Sequence, residues 1–192
     1  MLVDFNKISN MIRVPKRKGG IKIMLNEKVK ELLNLQVNKE LASAYKYLDF
    51  SRYMQALGLP GFANWYAVQA KEEVDHAMLF FGYLEKENAL IRLDTIDAPE
   101  MNDGSVIDVL TDGLEHEKYV TALIHNIYDV AHNMKDYRTM KFLDWFITEQ
   151  QEEEVNAMDL ISKYELVSDG SGLYMLDEYL GKREYSKPSF KI

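Results

Sequence analysis

The chain contains no cysteine. Disulfides, thiolate metal sites and a cysteine nucleophile are therefore excluded, and a reducing cytoplasm is a compatible setting. No apolar run approaches the roughly 20 residues of a membrane span. The first residues are basic, but no apolar signal core follows them, so export is not expected. There is no glycine-rich phosphate loop. His116-Glu117-Lys118-Tyr119-Val120 lacks the second histidine of the zinc-protease motif. No solenoid-type repeat is present.

What is present is acid, unevenly spread. The 192 residues carry a net charge of -8. Residues 1–23 hold six basic side chains (Lys7, Arg13, Lys16, Arg17, Lys18, Lys22) against Asp4 alone. The remaining chain has 17 basic and 30 acidic residues, a net of -13. Such a body suits cations and argues against nucleic acid as a partner. The basic stretch Val14-Pro15-Lys16-Arg17-Lys18-Gly19-Gly20 breaks helices, and 1–23 reads as a disordered leader to one domain at 24–192, in preference to a basic tail that touches nucleic acid or membrane. Lys18-Gly19-Gly20 can be encoded as AAAGGAGGA, which looks like a bacterial ribosome-binding site three codons before Met24. The expectation is that translation starts at Met24; intact mass of the native protein tests it.

Four long helical patterns follow. The first runs from about Asn26 to Ala56, with Val29, Leu33, Val37, Ala44, Tyr47 and Met54 on one stripe. Gly58-Leu59-Pro60-Gly61 is a stop and turn. The second runs to about Asn88 and carries Phe62, Tyr66, Phe80 and Tyr83 on one face. Residues 89–104 lack periodicity. A helix of about 28 residues is roughly 42 Å long, and about 16 extended residues reach roughly 53 Å. The connection can therefore run the length of a bundle and make helices two and three parallel. Ser105-Val106-Ile107-Asp108 resembles a capping box for helix three, whose stripe includes Val106, Leu110, Leu114, Ile124, Tyr128 and Ala131. After the turn Asn133-Met134-Lys135-Asp136, helix four runs from about Tyr137 to Val167. Its inner face is Leu143, Phe146, Ile147, Ala157, Leu160, Ile161 and Tyr164. Asp169-Gly170-Ser171-Gly172 ends it, and a short helix spans about Leu173 to Leu180. The expected fold is all-α, a four-helix bundle with one long crossover and a short C-terminal fifth helix.

Each long helix interrupts its apolar stripe near the middle. The interrupting residues are Glu40, then Glu73 with His76, then Glu117, then Gln150 with Glu153. Any one could be a surface side chain or a satisfied core polar group. Four at matching depth point to a metal, because burying a charge without a partner costs several kcal/mol. Oxygen-rich ligands with one imidazole suit iron or manganese, and carboxylates that can bridge suit a pair of ions. Tyr47 lies on the stripe of Glu40, as a hydrogen-bond donor to a ligand, an electron donor or an ordinary core tyrosine. Glu149-Gln150-Gln151-Glu152-Glu153-Glu154 is either a solvated face or, through Glu72, Glu149 and Glu152, an outer cation site. His125 and His132 have no evident ligand partners.

The sequence resembles the bacterial non-haem ferritins from about Met24 to Leu180. The resemblance is carried by Asn38-Lys39-Glu40-Leu41, Ala70-Lys71-Glu72-Glu73-Val74-Asp75-His76, His116-Glu117 and Trp145-Phe146-Ile147-Thr148-Glu149-Gln150-Gln151-Glu152-Glu153-Glu154. Helix four offers Gln150-x-x-Glu153 in place of a second Glu-x-x-His, unlike the bacterioferritins. The resemblance implies a ferritin-like fold and a hollow, cytoplasmic 24-subunit homo-oligomer. Its activity would be Fe(II) oxidation by dioxygen or peroxide, with storage of the ferric mineral. It assigns Glu40, Glu73, His76, Glu117 and Glu153 to paired ferroxidase irons, with Gln150 beside them. It assigns Glu72, Glu149 and Glu152 to a third iron and Tyr47 to a supporting role. Val74 stands where bacterioferritins have a haem-binding methionine, so no haem is expected. Two rivals are a peroxide reductase of the rubrerythrin type and a helical shell with a degenerate site. The missing cysteines count against the first, and the full ligand set against the second.

Overall fold

The computed structural model describes residues 25–99, 104–167 and 170–190. The basic leader and Met24 lie outside the described residues. Five helices follow in order: α1 (Glu27–Ala56), α2 (Pro60–Lys86), α3 (Val106–Asn133), α4 (Tyr137–Leu166) and α5 (Gly170–Leu180). Among the described residues there is no strand.

Local chemistry sets the helix ends. The Asn26 side chain accepts from the Lys28 amide at 2.9 Å and starts α1. Gly58, with φ +78°, turns the chain, and Pro60 opens α2 where its missing N–H costs nothing. Asn88 has φ +55°, which ends α2 at Lys86, two residues before the expected Asn88. The Asp108 carboxylate accepts from the Ser105 amide at 2.7 Å and hydroxyl at 2.6 Å, as the capping box requires. Asp136 accepts from the Thr139 amide and starts α4.

The crossover runs along α1. Asn34 and Asn38 hold it through the Arg92 carbonyl, at 2.9 and 3.1 Å, and through the amides of Arg92 and Asp94. Tyr53 then donates to the Gly104 carbonyl. Down α1 and up α3, Lys46 meets Asp112 and Ser43 meets His116. α3 is thus antiparallel to α1 and parallel to α2, as the length of the connection predicts.

Most of the expected stripe residues are buried. Helices three and four depart from this: on α3, Leu114 and Tyr128 are half-buried, and Val109, Val120 and Ile127 fill the core instead. The helix turns slightly out of register with a fixed sequence pattern, so its inward edge drifts along its length. On α4, Phe142 joins the core while Ile147, Ala157, Ile161 and Tyr164 are half-buried.

The fifth helix begins at Gly170 rather than Leu173. Gly170-Ser171-Gly172 forms its first turn, where backbone amides need no intrahelical partner and low helix propensity costs little. α5 docks on the start of α2, where Asp177 accepts from the Phe62 amide at 3.0 Å. A Cβ at Gly61 would sit 1.7 Å from the Asp177 carbonyl oxygen, so only glycine permits the approach.

The apolar core is split. One cluster gathers Leu33, Val37, Phe80, Ile124, Leu143 and Phe146. The other gathers Tyr47, Phe50, Met54, Phe62, Tyr66 and Leu110. Between them lies a buried polar layer.

Candidate metal centre

The layer contains Glu40, Glu73, His76, Glu117, Gln150 and Glu153, all at most 5% exposed. Four of them, with Glu149 on the rim, gather into two triads that share one imidazole, and Glu117 and Gln150 lie outside both. Ligand atoms of Glu40, Glu73 and His76 lie within 4.8 Å of one another, and so do those of His76, Glu149 and Glu153. His76 Nδ1 faces Glu73 Oε2 at 3.5 Å, and Nε2 faces Glu149 Oε1 at 3.7 Å. Both separations exceed an ordinary hydrogen bond.

Glu117 enters from α3 and is held by its neighbours. The Tyr47 phenol donates to its Oε1, and Gln150 Nε2 donates to its Oε2 at 3.3 Å. Gln150 also lies 3.4 Å from the Glu117 carbonyl and from Thr121 Oγ1. In this orientation the Gln150 amide nitrogen positions Glu117, and the atom it could offer a metal is its oxygen. Gln36 donates to Glu40 Oε1 at 2.9 Å, one helical turn away, and Gln69 donates to Glu153 Oε2 at 2.8 Å. Each amide fixes one carboxylate oxygen and leaves the other for something else.

That other partner is missing from the chain itself. Glu40 Oε2, Glu73 Oε2 and His76 Nε2 are buried without a hydrogen-bond partner. Buried polar atoms are normally paired. Acceptor oxygens on the Nδ1 side of the His76 ring, and the Nε2 that faces Glu149 on its other side, fit hard or borderline cations.

The electrostatics agree. Burial pushes the carboxyl of Glu73 well up, with the neighbouring acids adding to it and His76 opposing. Glu117 and Glu153 are raised for the same first reason, burial. For His76, burial disfavours the cation, but the closeness of Glu149 and Glu73 outweighs it and lifts the ring well above its ordinary value. Tyr47 is held protonated by burial and by the surrounding carboxylates. The metal-free layer thus stores protons that a cation would expel. A cavity of about 20 Å³, room for roughly one water, lies beside Tyr47, Glu117 and Glu153.

The outer residues behave differently. Glu149 is part of the second triad, whereas Glu152 is exposed and joins neither. Glu72 is paired with Arg183 at 2.7 Å. Burial still lifts Glu72 to about 7 against that guanidinium. Val74 is exposed on the outside of α2. His125 and His132 are exposed as well. His116 is bonded to Ser43 at 2.8 Å, and burial beside Lys46 depresses it to about 4.

Sequence reasoning missed Gln36, Gln69 and Arg183. The two glutamines had a signal: each lies four residues before a site glutamate, Glu40 and Glu73, on the same helix face. Arg183 had none, since it lies in a polar tail.

Residues 30–167 match the family model of the ferritin-like domain. The chain belongs to the ferritin-like family. Relatives named bacterial non-heme ferritin match most of this chain over nearly all of their own length. That of Campylobacter jejuni is 35% identical over 158 residues, covering 82% of this chain and 95% of the relative. That of Bacteroides fragilis is 34% identical over 160 residues, covering 83% and 100%. Among solved structures, the open pore ferritin of Archaeoglobus fulgidus aligns with a TM-score of 0.82 at 37% identity, covering 84% of this chain and 99% of the other. A form of that ferritin engineered to be closed aligns at 0.83. The split core of this ferritin-like bundle therefore belongs to a known architecture.

Proposed function

We propose that this protein stores iron, oxidising Fe(II) at a paired site inside each subunit and keeping the ferric product in a hollow homo-oligomer. The single observation that carries this reading is the buried, unpartnered set Glu40 Oε2, Glu73 Oε2 and His76 Nε2 in the middle of the bundle. The relatives named non-heme ferritin support the substrate class.

Glu40, Glu73, His76, Glu117 and Glu153 would hold two Fe(II) as substrate. Two ions held together can deliver two electrons to one molecule of dioxygen or peroxide. Anionic oxygen ligands in a water-poor layer favour the higher charge of Fe(III) and so favour oxidation. Gln36 and Gln69 orient Glu40 and Glu153 by taking one oxygen of each, while Tyr47 and Gln150 hold the two oxygens of Glu117. Burial raises Glu73, Glu117 and Glu153, so entering cations compete with protons for these carboxylates. The acidic body draws Fe(II) in, and Glu149 on the rim of the layer offers the product an exit. A cytoplasmic shell of 24 subunits without haem completes the reading.

Aerobic Fe(II) oxidation, followed by absorbance, tests it. Wild type is expected to oxidise about two irons per subunit quickly, and Glu117→Ala is expected to lose that phase. Oxidation by both at the buffer rate would refute it.

A further inference from the structure

Beyond α5, residues 181–190 do not trail away. Asn64 Nδ2 holds the Arg183 carbonyl at 2.9 Å, close to the start of α2. The Arg183 guanidinium lies over the Trp65 ring, 4.0 Å from its centroid, and donates to the Trp65 carbonyl and to Glu72 Oε2. One turn further along α2, the Tyr185 phenol donates to Asp75. At the far end Phe190 stacks on Trp145, with centroids 5.3 Å apart, and Trp145 presents its edge to His76 at 5.7 Å. The segment thus crosses the α2–α4 seam at the level of the metal centre.

We propose that residues 181–190 form a strap over that seam, and that Arg183 is a built-in cation at Glu72 which a metal ion must displace to use the outer site. The inference rests on the paired-site reading above. His76, Glu149 and Glu153 gather on this side of the layer with Glu72 near them, and the Arg183 guanidinium reaches Glu72. The pair is largely buried, with side chains of Arg183 and Glu72 at 18% and 17% exposure. A guanidinium so placed stays only while it is paired and stacked. The guanidinium's positive charge at Glu72 Oε2 opposes a second cation on that carboxylate. Meanwhile His76 Nε2 and Glu149 Oε1, 3.7 Å apart, retain unused ligand capacity beside it.

The consequence is an order of filling. The inner pair fills with the strap in place. A third ion at Glu72 and Glu149 releases Arg183, lifts the tail and uncovers the seam between the centre and its surroundings. The strap therefore couples metal load to opening of this route.

Anaerobic calorimetric titration of the intact assembly with Zn(II), which cannot be oxidised, tests the strap. Wild type and Arg183→Ala are both expected to bind two ions per subunit tightly. The third ion is expected to bind about ten-fold more tightly to Arg183→Ala. Hydrogen exchange of 181–190 in wild type, which requires no variant, is expected to stay slow through two equivalents and to accelerate with the third. Equal third-ion affinity in the two proteins, or tail exchange indifferent to metal, overturns the strap while leaving the centre intact. Failure of wild type to bind the first two ions overturns the centre, and the strap with it.

Discussion

The Tyr47 phenol on α1 donates to Glu117 Oε1 on α3, joining two helices across the polar layer, and both side chains are about 2% exposed. With Tyr47→Phe, Glu117 keeps only Gln150 as a side-chain donor. A hydrogen bond to a charged group is worth about 1.5–3 kcal/mol. The variant is expected to fold with unchanged helicity and to bind one of its two tight Zn(II) ions at least about ten-fold more weakly. Calorimetry reads both affinities. Unchanged binding would show that Glu117 is fixed by packing alone.

Stability of the metal-free protein depends on pH through the same layer. Glu73, Glu117 and Glu153 have folded values raised by burial, and His76 is raised by its carboxylate neighbours. For all four, the folded chain binds more protons than the unfolded chain between the ordinary and the raised value. Stability from these groups is therefore present at the lower pH and lost as pH rises through the folded values. His116, depressed to about 4, acts in the opposite direction below its ordinary value of about 6.5. Above about pH 6.5 that opposition is gone and Glu72, lifted to about 7, acts in the same direction as the layer, so the metal-free midpoint is expected to fall as pH rises. Glu117→Gln removes one buried acid and is expected to flatten that slope. Thermal melts at pH 6.5 to 8.5 with a chelator present check both. A flat wild-type profile would contradict the account.

The apolar end of the bundle is closely packed. Phe80 is fully buried and stacks on Phe146 with centroids 4.2 Å apart. Phe80→Ala is expected to cost about 3–5 kcal/mol, the range for buried aromatic truncation. Denaturant unfolding of the metal-free protein measures it, and a loss under about 1 kcal/mol would mean the site collapses without strain.

Gly61 sets the docking of α5. Gly61→Ala places a methyl 1.7 Å from the Asp177 carbonyl oxygen, so backbone must move. Hydrogen exchange is expected to show α5 unprotected while α1 to α4 stay protected. Protection of α5 unchanged from wild type would refute the close approach.

Much of this was legible in the sequence because it rests on periodicity. Val29, Leu33 and Val37 keep helical spacing, and Glu40 falls on their stripe at the depth that Glu73, Glu117 and Glu153 share. Four carboxylate-bearing stripes that meet at one level can be read without coordinates. The length of 89–104 likewise allowed the parallel α2 and α3. What could not be read depended on packing. Val109, Val120 and Ile127 lie inside because α3 drifts relative to a fixed pattern. Gly170-Ser171-Gly172 reads as a stop, yet it opens α5, because a first turn tolerates weak helix formers. The orientation of Gln150 depends on Glu117 and Thr121, which arrive from another helix. Arg183 meets Glu72 through a tail with no periodicity, across 111 residues of chain.

The central claim is that one subunit holds two metal ions in the layer between its two apolar clusters. Anomalous diffraction from crystals soaked anaerobically with Fe(II) tests it most directly. The account predicts two anomalous peaks per subunit, within coordination distance of Glu40, Glu73, His76, Glu117 and Glu153. An empty layer, or iron only at exposed acids such as Glu152, would contradict it.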